Sequence, residues 1–120
     1  MRKTFRIMSV AISSLTLVGA IGFSATAIAG DKIAEGKKIS FDKKKGNCLA
    51  CHLIMGGTQP GNIAPPLIGM KGRFPDKAAL RAQISNPHAA NPDSMMPPFS
   101  AHGVLTEKEI DSVVEFIYSL

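Results

Sequence analysis

The strongest constraint on this 120-residue chain is a run of five residues, Cys48-Leu49-Ala50-Cys51-His52. It contains the only two cysteines, three positions apart, so no disulfide can staple distant parts of the fold. C-x-x-C-H is the sequence by which haem is attached covalently. Two thiols on one helical turn can each add to a vinyl group of the ring, forming thioethers. The His that follows is then held against the iron. Two other chemistries use cysteines at this spacing. A thioredoxin-like redox pair follows a buried strand, which is not readable here, and it leaves the adjacent His without a role. Half of a zinc site would need His88 or His102 as a further ligand, at no usual spacing. One covalent haem c, held by Cys48, Cys51 and His52, uses every residue of the motif.

Handling free thiols in this way requires export from a reducing compartment, and the N-terminus agrees. Met1-Arg2-Lys3-Thr4-Phe5-Arg6 is a short basic head, and no charged residue follows between Ile7 and Gly30. The uncharged run ends in Ala27-Ile28-Ala29, the small-x-small pattern of a cleavage site. The expected organisation is a cleaved signal peptide over 1–29 and one domain over 30–120, in the periplasm. An uncleaved membrane anchor is the competing reading, because the run is long enough to span a bilayer. Its Ser and Thr content and the small-residue site favour cleavage, which leaves no stable membrane anchor. Arg2, Lys3 and Arg6 depart with the leader, leaving 11 basic against 9 acidic side chains, so the charge gives no argument for nucleic acid. A domain this small buries little apolar surface and gains from a cofactor at its centre.

The clearest helix closes the chain. Ile110, Val113, Val114 and Ile117 recur at i, i+3, i+4 and i+7, with Glu107, Lys108, Asp111 and Glu115 on the other face. Thr106 and Glu109 have the spacing of a capping box. A second helix is predicted over Lys77–Ser85, with Asp76 as N-cap, Leu80 and Ile84 on one face, and Asn86-Pro87 as its stop. A weaker one is predicted from Lys32 to Lys44, with Ile33, Gly36, Ile39 and Phe41 inward. Gly36 costs helix stability there, which implies close approach of another helix. The rest is rich in Gly and Pro, with no alternating strand pattern. The expected fold class is all-α: about three main helices around one haem, joined by ordered loops.

A His-bound haem iron takes His or Met on its other side in electron-transfer proteins, and Met raises the potential. Met95, Met96, His88 and His102 are the candidates. Met55 lies too close to the attachment turn, and Met70 follows the Pro pair on the His side. Met96 is the expected ligand, because Met95-Met96-Pro97-Pro98-Phe99 forms a Pro-stiffened loop that presents a thioether at low entropic cost. Packing is the ordinary use of Met, and His88 and His102 are by default surface residues. A ligating His gives its other ring N–H to a carbonyl or carboxylate. The Ala64-Pro65-Pro66-Leu67 turn is placed to accept it, at the carbonyl of Pro65.

In order, these features resemble the class I cytochromes c: a Gly-bearing first helix, the attachment motif, a Pro-Leu turn, a Met-Pro loop and a Leu-Thr-x-x-Glu-Ile helix. Ala64 departs from the pattern, since the family has Gly before the proximal Pro. Within the family the chain is most similar to the X subunits of sulfur-oxidising SoxAX complexes. The similarity lies in Gly46-Asn47-Cys48-Leu49-Ala50-Cys51-His52, Pro60-Gly61-Asn62-Ile63-Ala64-Pro65-Pro66-Leu67-Ile68 and Arg73-Phe74-Pro75-Asp76-Lys77. It continues in Asn91-Pro92, Met96-Pro97-Pro98-Phe99 and His102-Gly103-Val104-Leu105-Thr106. The resemblance implies a haem-bearing A subunit as partner. It implies a complex that couples thiosulfate oxidatively to a cysteine of a sulfur carrier protein, and a His/Met haem that passes electrons to a downstream cytochrome.

The residues alone support electron transfer. There is no third Cys, no Ser/His/Asp set and no carboxylate pair at motif spacing, so no catalytic residue is expected in this chain. The alternative to a complex subunit is a free-standing periplasmic electron shuttle. A third reading, a peroxidase-like or gas-binding protein, requires an open iron and conflicts with a stiff Met-Pro loop. Lys37, Lys38, Lys43, Lys44 and Lys45 precede the attachment turn and read equally as a docking patch or as a solvated face. Phe74, Pro97, Pro98 and Phe99 are the expected members of an apolar partner-facing patch.

Overall fold

A computed structural model describes residues 25–120, with side chains from Ala29 onward. Residues 1–24, which hold most of the expected leader, lie outside the described residues. Four helices carry the fold: α1 (Ala25–Phe41), α2 (Met70–Arg73), α3 (Lys77–Ser85) and α4 (Glu107–Tyr118). Two 3₁₀ turns, Cys48–Ala50 and Pro87–Ala89, lie between them. No strand occurs among the described residues.

Helix α4 forms as its pattern requires. Thr106 Oγ1 accepts from Glu109 N, and Glu109 reaches back to Thr106 N at 2.9 Å, so both limbs of the capping box are made. Ile110, Val113, Val114 and Ile117 are buried. The opposite face does not simply meet solvent. Glu107 and Asp111 pair with Arg81, and Glu115 with Lys77, which straps α3 across α4. Helix α3 has the expected bounds, with Asp76 Oδ1 accepting from Ala78 N at 2.8 Å and Leu80 and Ile84 buried.

Helix α1 crosses α4 at Gly36. A Cβ there would overlap the Ser112 carbonyl and lie 2.9 Å from Phe116 Cβ, so only glycine permits this approach. Phe41 and Phe116 meet edge to face beside the crossing, with ring centroids 5.9 Å apart. The Ser112 hydroxyl bonds both Glu35 and the Lys108 carbonyl there.

Helix α1 starts at Ala25, seven residues before the expected Lys32, and ends at Phe41, three before the expected Lys44. The cause of the early end is local: Asp42 Oδ1 accepts from Lys44 N at 2.8 Å, and the Asp42 carbonyl takes Lys45 N and Asn47 N. Those bonds compete with continuation of the helix. The short α2 lies where the sequence predicts loop. It starts at Gly69 in a left-handed conformation (φ 61°), and Gly69 N bonds the Leu120 carbonyl at 2.9 Å.

Candidate haem-binding site

The attachment motif is wound into one tight turn. Asn47 enters it left-handed (φ 47°), Cys51 N and His52 N both reach the Cys48 carbonyl, and Cys48–Ala50 form the 3₁₀ turn. This winding places Cys48 and His52 on a common face. Both thiols are free and half-buried. Burial pushes the Cys48 thiol up. Ser40 is fully buried, and its Oγ has no hydrogen-bond partner among the described residues.

The loop after the motif is laced back onto it. Gly61 N bonds the Leu49 carbonyl at 2.7 Å, Ala64 N the Cys51 carbonyl at 3.0 Å and Leu67 N the Leu53 carbonyl at 2.9 Å. A Cβ at Gly61 would collide with the Ala50 carbonyl, so this lacing needs glycine. It delivers the Pro65 carbonyl to 2.7 Å from His52 Nδ1, the contact expected from the sequence. A carbonyl only accepts, so Nδ1 carries the hydrogen. In the neutral ring this tautomer leaves the lone pair on Nε2, the form in which imidazole ligates a metal. Arg73 Nη1 donates to the Pro66 carbonyl at 2.6 Å and steadies the same loop.

Two adjoining cavities open on the motif. The larger, about 400 Å³, is walled by Leu67, Met70, Leu80, Ile84, Phe99, Leu105, Val113 and Ile117, with Cys48, His52 and Pro65 at one side. The second, about 360 Å³, lies between Lys43, Lys44 and Lys45 and the segment Met95–Pro97, with Cys48, Cys51 and His52 on its wall. Cys48, His52 and Met96 border both. An apolar slot with two thiols and a ring nitrogen free to ligate at one wall fits a covalently attached haem.

The distal candidates separate in this geometry. Met95 and Met96 both border the cavities, but Met95 is 91% exposed, whereas Met96 is partly buried against the core. His88, His102 and Met55 border neither cavity. Met70 is buried in the wall of the larger one, and its sulfur accepts from Arg73 Nη1 at 3.5 Å.

The apolar rim differs from the one expected. Pro98 and Phe99 are buried and Phe74 packs against the core, so of the four residues named only Pro97 is exposed. The cause is the turn after Phe99, whose carbonyl takes Val104 N and Leu105 N and folds the ring inward. The exposed apolar side chains around the second cavity include Ile63, Met95, Pro97 and Val104.

A laced attachment turn facing an apolar slot, inside four helices, defines a covalent-haem electron-transfer domain. The family model for cytochrome c matches residues 33–120, and the chain belongs to that family. The solved structure of SoxXA from P. pantotrophus matches with a TM-score of 0.65 and 29% identity, covering 72% of this chain and 79% of that one. The chain is a class I c-type cytochrome resembling the X subunit. It is also 38% identical over 78 residues to an uncharacterised lipoprotein of Aquifex aeolicus (strain VF5). That match covers 62% of this chain and 37% of the lipoprotein, so the chain spans little more than a third of that relative's length. Among the described residues no helix is long and apolar enough to cross a membrane.

Proposed function

We propose that this chain is the electron-transfer subunit of a periplasmic complex that couples thiosulfate oxidatively to a cysteine of a carrier protein. The observation that carries the reading is the likeness to SoxXA along most of both chains. In that reaction a carrier thiolate and thiosulfate form a sulfur–sulfur bond and release two electrons. The electrons leave through this subunit, one at a time, to a downstream cytochrome. A haem-bearing A subunit provides the substrate chemistry.

This chain's own residues hold and insulate the redox centre. Cys48 and Cys51 would hold the ring covalently as thioethers, and His52 Nε2 and Met96 Sδ would ligate its iron. A bound haem supplies one-electron transfer. The Pro65 carbonyl orients His52 and raises its basicity. The apolar wall would keep water from the centre, and Met ligation by Met96 would favour the reduced state. Ile63, Met95, Pro97 and Val104 form the apolar surface for the A subunit, beside the attachment turn. Lys43 and Lys44 flank it.

The test is purification from the native periplasm, followed by haem absorbance. Co-purification with a second, larger haem subunit is expected, with thiosulfate-dependent haem reduction once the carrier protein is added. A lone monomer that exchanges electrons but ignores thiosulfate would overturn the complex and leave a free shuttle.

A further inference from the structure

The segment that carries Met96 is held largely by itself. Pro87, fully buried, anchors the 3₁₀ turn before it, and the buried Pro98 and Phe99 anchor the chain after it. Between these anchors Asn91, Pro92, Asp93 and Met95 are exposed. Past the Asn91 N–H, which bonds the Pro87 carbonyl, the hydrogen bonds are internal. Ser94 N donates to the Asn91 carbonyl at 3.0 Å, Asp93 N to Asn91 Oδ1 at 3.1 Å and Met96 N to Ser94 Oγ at 3.2 Å. Among the described residues one side chain reaches this stretch from outside: His88 Nε2, 3.0 Å from the Ser94 carbonyl oxygen. The acceptor fixes the tautomer, so Nε2 carries the hydrogen. His88 sits in the turn pinned by Pro87 and borders neither cavity.

We infer that His88 is a positioning residue for the distal ligand: its Nε2–H clamps the Ser94 carbonyl and so keeps the Met96 thioether turned into the crevice. The inference rests on Met96 being the second axial ligand. The clamp is one hydrogen bond between the Pro87 turn and the loop. It acts on a local equilibrium between a closed loop and an open one that admits an external ligand. Losing one hydrogen bond of ordinary strength raises the open fraction by about fivefold. Apparent affinity for an external ligand follows that fraction.

The experiment titrates the ferric, haem-loaded full chain with imidazole and reads the optical spectrum. His88→Ala is expected to raise imidazole affinity about fivefold and to weaken the thioether–iron charge-transfer band. His88→Gln, whose side-chain amide can donate to the same carbonyl, is expected to restore the parent affinity and band. Met96→Ala sets the fully open limit. Strong imidazole binding in Met96→Ala beside parent behaviour in His88→Ala would overturn the clamp and leave the ligand assignment standing. An unchanged affinity in Met96→Ala would overturn the ligand assignment and the clamp together. His88→Gln behaving like His88→Ala would overturn the hydrogen bond as the cause.

Discussion

Lys45 donates to the carboxylate of Glu109, 64 residues later, and the same carboxylate caps α4 through Thr106. One side chain thereby joins the loop entering the attachment turn to the start of the last helix. Lys45 first, then the Thr106 backbone and hydroxyl, hold the Glu109 carboxyl down at about 2, against an ordinary 4.5. A folded-state value below the unfolded one stabilises the fold above about pH 4.5, and that stabilisation is lost as the pH falls toward 2. Glu109→Gln keeps a capping side chain and removes the charge. The variant is expected to be less stable than the parent near neutrality, and the gap should close as the pH falls toward about 2. Denaturant unfolding followed by circular dichroism across that range checks it; a gap constant with pH would refute the assignment to Glu109.

Gly36→Ala places a methyl against the Ser112 carbonyl. Backbone cannot move aside as a flexible side chain does, so the helices must separate. The expected loss is about 3 kcal/mol. Unfolding titrations measure it, and a loss under about 0.5 kcal/mol would mean that the crossing adapts freely.

Met96→Ala is expected to lower the reduction potential by on the order of a tenth of a volt and to let carbon monoxide bind the reduced protein. Met95→Ala, at a side chain 91% exposed, is expected to leave both properties unchanged. Redox titration and the reduced spectrum under carbon monoxide decide between them. The opposite pattern would transfer the ligand role to Met95.

The lysine run divides by its partners. Lys45 is paired with Glu109 and the Lys37 ammonium lies 5.7 Å from the centre of the Phe41 ring, whereas Lys43 and Lys44 flank the second cavity. Replacing Lys43 and Lys44 together by Glu is expected to slow electron exchange with an acidic redox partner about tenfold at low salt. Stopped-flow rates against ionic strength test this, and a parent rate flat with salt would reduce the pair to a solvated face.

The sequence was most legible where one local signal decides the outcome. Thr106 with Glu109, and Asp76 before an apolar i, i+4 pair, place α4 and α3 because caps and periodicity act within a few residues. The Pro65 carbonyl opposite His52 was legible because a ligating imidazole needs an acceptor and the Pro turn supplies a rigid one. Gly36 signalled a close crossing because nothing else explains glycine on a helix's inner face. Helix α2 was not legible, since four residues show no periodicity. The early end of α1 depends on Asp42 choosing Lys44 N, one of several bonds open to it. The apolar rim is not legible in the sequence because exposure in loops is set by tertiary packing. Phe99 is as hydrophobic as Ile63 in the sequence, yet one is 6% and the other 70% exposed.

The contact between α1 and α4 also bears on assembly in time. Glu35 and Ser112 bond across 77 residues of chain, a separation whose closure is entropically costly and slow compared with local structure. The turn at Cys48–His52 and its lacing to Gly61–Leu67 need only short-range closures. Such closures cost less chain entropy than bringing the two outer helices together. Helix α4 contributes Val113 and Ile117 to the wall that faces Cys48, so its docking closes the crevice on that thiol, whereas Cys51 opens on the second cavity, which α4 does not border.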